Sequence, residues 1–457
     1  MKKVKATYLA SLIGYRSNKT LASIEINHIT IDSRKVHSQS MFVALKGESL
    51  DGHDFIIEAI QMGSPLILAA VSQKIKVLKA IQGHHVQVLY VEDPLRALQQ
   101  MAKKHIQNSP LLKKIGITGS VGKTTTKEIL ASILRESGET AKTIGNYNSE
   151  IGLAISAFEI EENSQYAVFE MGVDHIGEMK TMVDIYSPHI GIITNIGLSH
   201  IGKMGSLENI AKEKGDIFHP SIEYSFMEEK SIYRSSIAQQ KEIKISPFGF
   251  SSMPYITNIN SLHLDGWSFF YKGEKVHLKG IGKHTLIDAL GAIKIAENLD
   301  VKTKEIVQGL HEYKAMDGRS KVTKGKVTLI EDWYNSSVDS TSLILNCLKK
   351  APNRGTKRVV LGSMKEMGSF TYQAHQEVAQ AIKKSQFEHL YLYGKEMYTT
   401  YASLKALNSG AQLFYTDEYE QLEQFMLEET KRGDLVLLKG SRMMAMERLV
   451  PAMRSIS

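Results

Sequence analysis

The chain has 457 residues, 42% of them hydrophobic, with 56 Lys plus Arg against 49 Asp plus Glu and a formal net charge of +7. At about 150 residues per domain this length calls for roughly three domains, and the mixed composition excludes a disordered or collagen-like chain. The positive balance suits anionic small substrates, and with neither a run of five basic residues nor a known reading motif, no nucleic-acid partner is expected.

The opening MKKVK followed by ATYLASLIGY superficially resembles a signal peptide. Leu9, Leu12 and Ile13 fall at helical spacing, polar residues interrupt the run and no small-residue cleavage site precedes Tyr15 and Arg16, so an amphipathic helix is predicted instead. The longest aliphatic run, Leu66 to Val71, is far short of the ~18 residues of a membrane span, so no membrane partner is expected. Cys347, the sole cysteine, lies in a predicted helix, which excludes intrachain disulfides and thiolate metal clusters and fits a cytoplasmic location.

Over residues 1–110 the apolar runs HITID, MFVALKG, PLILAAV and VQVLYVED alternate with the helical patterns HDFIIEAIQMG and PLRALQQMAKKH, predicting a small α/β N-terminal domain. NSPLLKK, Asn108 to Lys114, reads as a linker. Residues 111–318 open with the strand KIGIT, a glycine loop and a helix carrying Ile129, Leu130, Ile133 and Leu134 on one face before Gly138. The strands YAVFEMG and HIGIITNIG follow helical stretches, predicting a central P-loop-type parallel sheet; Ile245 to Gly280 reads as an antiparallel annex turning at Lys272 and Gly273. Over residues 319–457, VTLIED, RVVLGSM, HLYLYG and DLVLLKG alternate with helices, predicting a Rossmann-like doubly wound C-terminal domain. It lacks G-x-G-x-x-G, so no dinucleotide site is expected there. The fold class is α/β in three domains.

The most specific motif is TGSVGKTTTKE, Thr118 to Glu128, set between strand and helix. Gly119, Ser120, Val121 and Gly122 form a turn whose backbone amides are expected to face phosphate oxygens, with Lys123 on the β- and γ-phosphates and the Thr124 hydroxyl available to Mg²⁺. Thr125 follows in the first helical turn, where the helix dipole favours the same anion. Ile117 stands where the longer G-x-x-x-x-G-K-[ST] form has its first glycine.

This loop is similar to the nucleotide loop of Mur ligases, and other segments resemble the same family in the same order. IDSRKV (Ile31 to Val36) and FVALKGESLDGHDF (Phe42 to Phe55) resemble its UDP-sugar-binding domain. GNYNSEIG (from Gly145), FEMG (from Phe169), TNIGLSHIGKMGSLENIAKEKGDIF (from Thr194), DWYNSSVDS (from Asp332), LGSMKEMG (from Leu361) and LLKGSRMMAMERLV (from Leu437) resemble the branch that adds D-alanyl-D-alanine. Three positions depart from the family pattern: H-N-x-x-N is HTLID here, with Thr285 and Asp288 for asparagines; Ser336, Ser337 and Val338 replace an asparagine-proline pair; and Ser363 replaces an aspartate. No counterpart of the family's asparagine-aspartate loop is visible at Tyr224 to Ser231.

The resemblance implies an ATP-dependent ligase that joins D-alanyl-D-alanine to a UDP-N-acetylmuramoyl-tripeptide through an acyl phosphate, acting as a monomer. Its implied catalytic residues are Lys123, Glu170, His200 and Lys214, with two Mg²⁺ ions held by Thr124, Glu170, His200 and a Lys214 carbamylated by CO₂. Asp288, Arg319 and Asp332 join the loop in the nucleotide site. Asp32, Ser33, Arg34, Lys46 and Gly47 correspond to the uridine diphosphate site, Asn148 and Glu150 to contacts with the muramoyl peptide, and Tyr334 and Asn335 to the lining of the closed site. Met364, Glu366, His375, Lys439, Ser441 and Arg442 are candidates for the dipeptide pocket.

From the residues alone, Glu170 ends a parallel strand near the loop, where an acidic partner for a nucleotide-bound Mg²⁺ belongs. His200 is by itself an ordinary loop histidine, and Lys212 and Lys214 cannot be told apart as the solvated and the buried lysine. Two alternatives stand: another Mur-type ligase, adding the third amino acid or glutamates to a folate, or a phosphate-loop module that binds nucleotide without ligation. The identity of the third residue of the tripeptide is not legible.

Overall fold

The alternation of aliphatic runs with amphipathic segments is realised as three successive parallel or mainly parallel sheets in a computed structural model that describes residues 1–16 and 19–456. In the first, His28–Thr30, Ser40–Val43, Leu66–Ala70 and Gln87–Val91 pair in chain order, all parallel. Ser40–Val43 and Leu66–Ala70 are buried throughout, which is why they read as unbroken apolar runs. Ala6–Leu12 is the predicted amphipathic helix, burying Ala6, Leu9, Ala10 and Leu12.

The central sheet has six parallel strands in the order Ser246–Phe248, Tyr224–Glu228, Ile190–Ile193, Lys113–Thr118, Tyr166–Glu170, Thr140–Lys142. The first strand in sequence, Lys113–Thr118, lies in the middle, so the chain reverses its direction of progress beside it. Ligand crevices of open α/β sheets form at the carboxyl ends of such strands. The helix Lys123–Arg135 buries Ile129, Leu130, Ile133 and Leu134 against Gly282–Asn298 and Thr303–Glu312.

The annex is the antiparallel set Ile256–Ser261, Trp267–Tyr271 and Glu274–Leu278, with Lys272 (φ 48°) and Gly273 (φ 87°) in the two-residue turn. It starts later than the sequence pattern implied. Ser246–Phe248 is the edge strand of the parallel sheet, because Phe248 is buried in the central core.

The third sheet runs Lys321–Thr323, Thr328–Asp332, Leu435–Lys439, Lys357–Gly362, His389–Tyr393, Gln412–Thr416; only the first strand is antiparallel. Of its two edge strands, Lys321–Thr323 carries no apolar run, whereas Gln412–Thr416 carries Leu413, Phe414 and Tyr415, only partly buried. One apolar cluster passes through all three units, including Leu89 and Ile106, then Phe169 and Ile193, then Ile330 and Val359. Among the described residues no helix is long and apolar enough to cross a membrane.

Candidate active site

The glycine loop sits at the carboxyl end of Lys113–Thr118, and two of its positions admit only glycine. Gly119 has φ +147° and a Cβ there would fall 1.9 Å from Thr194 Oγ1; Gly122 has φ +88° and its Cβ would fall 2.3 Å from Asp288 Oδ1. Lys123 Nζ donates to the Gly119 carbonyl at 2.7 Å, which holds the ammonium over the loop. The amides of Ser120 and Val121 donate to Asn195 Oδ1 at 3.0 and 2.8 Å. These two amides, expected from the sequence to face phosphate, instead brace the turn, and no side chain caps Lys123–Arg135, so its first-turn amides are the donors a helix start offers to an anion.

Glu170 closes the neighbouring strand and is 1% exposed. Its carboxylate accepts from Thr124 Oγ1 at 2.9 Å and from Asn148 Nδ2 at 2.7 Å, with Lys127 Nζ 3.8 Å away. Burial opposes its charge, but Lys127, Lys123 and Arg319 outweigh burial and hold the carboxyl below its ordinary range. Among the described residues no three His, Cys, Asp or Glu side chains gather into a metal cage. A hydroxyl beside an ionised carboxylate next to a phosphate loop nevertheless fits Mg²⁺, which takes one or two protein oxygens and completes its shell with phosphate and water.

His200 adopts φ +64° in the loop after Ile190–Ile193. Its Nδ1 lies 3.0 Å from Asp174 Oδ1 and 3.2 Å from Glu366 Oε2, an ion pair with both when the ring is protonated. Burial lowers the imidazole's affinity for a proton; the two carboxylates overcome it and raise the net value. The two carboxylates therefore favour the protonated ring, and His200 could serve a cation only after giving up that proton.

Lys214 is 1% exposed while Lys212 is exposed, which separates the two lysines that the sequence left equivalent. Burial, reinforced by the charge of Lys123, pushes the Lys214 amine down to about 7. A substantial neutral fraction at neutral pH is what carbamylation requires.

The third sheet supplies the opposite wall. Arg319 stacks on Tyr334, its Cζ 4.0 Å from the ring centre, and Arg442 approaches the same ring from 6.0 Å. Asp332 is already committed: Oδ1 accepts from the Ser320 amide and hydroxyl, both at 3.0 Å, and Oδ2 from Lys439 Nζ at 2.7 Å. Lys439 also donates to the Asn335 carbonyl at 3.1 Å, so this pair shapes the loop carrying Tyr334 and Asn335. Ser441 Oγ accepts from the Lys365 amide at 2.8 Å.

Two cavities meet at the loop. The larger joins Lys123, Thr124, Asn148, Glu170 and His200 to Arg319, Tyr334, Asn335, Glu366, Ser441 and Arg442. The smaller is lined by Thr125, His284, Thr285, Tyr313, Asp332 and Lys439 among others. Ser120, Val121, Gly122, Arg319 and Asn335 border both.

Several predicted residues lie elsewhere. Asp288 packs behind the loop against Gly122 and is absent from both cavity linings, where His284 and Thr285 stand instead. Glu150 accepts from Gln99 at 3.3 Å, between the first and second units. Met364 and His375 are buried behind the wall, the Met364 amide donating to His375 Nε2 at 3.2 Å. Asp32 binds Arg34 through both carboxylate oxygens at 2.9 and 3.0 Å and Ser33 donates to Glu58 at 2.7 Å; with Lys46 and Gly47 these residues occupy loops of the first sheet, outside both cavities. Lys35 Nζ, 3.5 Å from Tyr147 OH, links that edge to the loop bearing Asn148. Sequence reasoning passed over Asp174, Asn195, Lys127 and His284; all but Asp174 lie inside quoted motifs, but only their partners give them a role.

Comparison with known proteins agrees with this geometry. Three family descriptions match in order: "Mur ligase family, catalytic domain" over residues 25–106, "Mur ligase middle domain" over 117–296 and "Mur ligase, glutamate ligase domain" over 318–442. The UDP-N-acetylmuramoyl-tripeptide--D-alanyl-D-alanine ligase of Borreliella burgdorferi is 32% identical over 445 residues, 94% of each chain, and that of Bacillus subtilis is 31% identical over 450 residues, 96% of this chain and 95% of the relative. A crystal structure of MurF from Acinetobacter baumannii superposes with a TM-score of 0.83 at 26% identity, covering 99% of both chains. With a matching fold, a phosphate loop facing the wall of the third sheet and near-complete coverage, the chain belongs to the Mur ligase family.

Proposed function

We propose that this chain joins D-alanyl-D-alanine to UDP-N-acetylmuramoyl-tripeptide at the expense of ATP, producing the UDP-linked pentapeptide for peptidoglycan synthesis, in the cytoplasm and as a monomer. The observation that carries this reading is the larger cavity, in which the phosphate loop and Glu170 of one sheet face Arg319, Lys365, Glu366 and Arg442 of another. A carboxylate activated on the first wall meets an amine delivered by the second. The relatives' names supply the identities of both substrates.

A carboxylate does not condense with an amine in water until it gains a leaving group. Lys123 and Arg319 bring positive charge to the γ-phosphate, and Asn148 stands on the side from which the tripeptide's terminal carboxylate approaches. That oxygen attacks the γ-phosphorus, ADP departs and an acyl phosphate results. The neutral amine of the dipeptide then adds to the carbonyl, inorganic phosphate leaves and the amine's proton passes to solvent. Closing the third sheet over the cavity keeps water from the acyl phosphate.

In this reading Thr124 and Glu170 would hold one Mg²⁺, and His200 with a carbamylated Lys214 would hold a second. When bound, these ions neutralise phosphate charge during transfer. Gly119 to Thr125 cradle the phosphates, while Asp288 supports the loop from behind and Asp332 acts through Ser320 and Asn335. Asp32, Ser33, Arg34, Lys46 and Gly47 take the uridine diphosphate, and Glu150, Tyr334 and Asn335 border the peptide. The functional units are taken as residues 1–110, 111–318 and 319–457.

The test is phosphate release by purified protein given ATP. Release that requires both the UDP-tripeptide and D-alanyl-D-alanine, and that disappears in Lys123→Ala, is expected. ATP turnover indifferent to both acceptors would mean a nucleotide module rather than a ligase.

A further inference from the structure

Lys127 lies four residues beyond Lys123, on the same face of the same helix, and is 0% exposed. A buried ammonium is costly unless paired, and this one has four partners. It donates to the carbonyls of Thr143 at 3.3 Å and Gly145 at 3.1 Å, and stands 3.3 Å from Glu128 Oε1 and 3.8 Å from Glu170 Oε2. Thr143 in turn accepts the Glu170 amide on its hydroxyl at 2.7 Å.

The segment held in this way leads into the larger cavity. After the two carbonyls that Lys127 grips come Asn146, Asn148 and Ser149, all on the cavity wall, and Asn148 donates to Glu170 at 2.7 Å. Gly145 turns with φ +49°, and a Cβ there would meet nothing within 4 Å. The Ile144 amide on Ser156 Oγ at 3.2 Å and the Gly172 amide on the Asn148 carbonyl at 2.8 Å hold the two sides of this turn, and Lys127 is the charged side chain that binds the carbonyls of Thr143 and Gly145 between them. Lys127 itself is not on the wall. It therefore touches no ligand and acts through the loop.

We propose that Lys127 is a positioning residue for the acceptor carboxylate: by pinning the Thr143–Gly145 turn it sets where Asn148 presents the end of the UDP-linked peptide to ATP. The role rests on the ligase reading given above. Its specific content is that the loss of Lys127 falls more heavily on the tripeptide than on the nucleotide, which Lys127 reaches only through Glu170.

The experiment measures binding of ATP and of UDP-tripeptide by calorimetry, with a non-hydrolysable ATP analogue present for the latter, in wild type, Lys127→Met and Lys127→Gln. Methionine keeps the stem and removes the donors; glutamine keeps two N–H donors without the charge. In Lys127→Met tripeptide affinity is expected to fall about 10- to 100-fold, the loss of charge-assisted hydrogen bonds, and ATP affinity to fall by clearly less. Lys127→Gln should recover a substantial part of the tripeptide loss, and it carries the test if the methionine variant does not fold. A parallel fall in ATP affinity, unchanged tripeptide affinity, or a glutamine variant as impaired as methionine overturns the proposal. Wild-type protein that binds no UDP-tripeptide overturns the ligase reading itself, and this role with it.

Discussion

His200 and Glu366 meet across the seam between the central and third sheets, with Nδ1 3.2 Å from Oε2. Glu366 reaches this position with φ +67°, a conformation that costs a non-glycine residue about 1–3 kcal/mol and persists only where its surroundings impose it. Beside the pair the two backbones touch: a Cβ on Gly202 would fall 2.6 Å from the Gly368 amide nitrogen. Gly202→Ala is therefore expected to prevent the third sheet from seating. The variant should fold, show a larger radius of gyration by small-angle scattering and lose about 100-fold in turnover, as misplacing reactive groups by an ångström does.

The loop glycines make a second prediction. Gly119→Ala places a methyl 1.9 Å from Thr194 Oγ1 and should abolish measurable ATP binding. Gly122→Ala combined with Asp288→Ala relieves the contact at 2.3 Å but leaves φ at +88°, so the double variant should recover only part of the affinity lost by Gly122→Ala alone. Titration calorimetry with ATP distinguishes the two; full recovery would mean that crowding alone requires the glycine.

Asp288 gives a pH prediction. Burial, with Glu228 adding, raises its carboxyl well above the ordinary value, while Thr126 lowers it slightly; Tyr313 also faces it. A folded-state pKa above the unfolded value of about 3.9 means that the folded chain retains a proton the unfolded chain releases. The neutral acid's contribution is therefore whole below about pH 4 and declines as pH rises toward the folded pKa. Asp288→Asn should flatten the stability profile, because an amide has no proton for the unfolded chain to release. Denaturant unfolding between acid and neutral pH tests it; parallel curves for the two proteins would contradict it.

Lys214 behaves in the opposite sense. Its amine, at about 7 in the fold, binds a proton less readily than in the unfolded chain, so metal-free protein should gain stability as pH rises from there toward the ordinary lysine value. Lys214→Met should abolish that slope, be at least as stable as wild type near pH 6 and release no phosphate. Retained ligase activity in Lys214→Met would remove the carbamate from the mechanism.

Much of this was legible in the chain. TGSVGKTTTKE announced its strand, loop and helix because a phosphate cradle is a local object, made by neighbours in sequence. Glu170 was legible as the last residue of an apolar strand. Asn195, Lys127 and Asp174 were not, since an asparagine holding two amides 74 and 75 residues away, or an aspartate beside a histidine, declares itself only when distant strands align. Lys214 and Lys212 differ by burial alone, a property of the tertiary packing. The edge strand Lys321–Thr323 escaped because a short half-solvated edge needs no apolar run.

The wall formed by Ser120, Val121 and Gly122 has cavities on both of its sides. One linear compound can therefore thread past it, with a flat heterocycle in the compartment beside His284 and an acidic chain in the compartment beside Glu170. Tethering the two halves converts the second contact into an intramolecular event, so inhibitors assembled from weak fragments of each kind should gain by avidity what neither achieves alone.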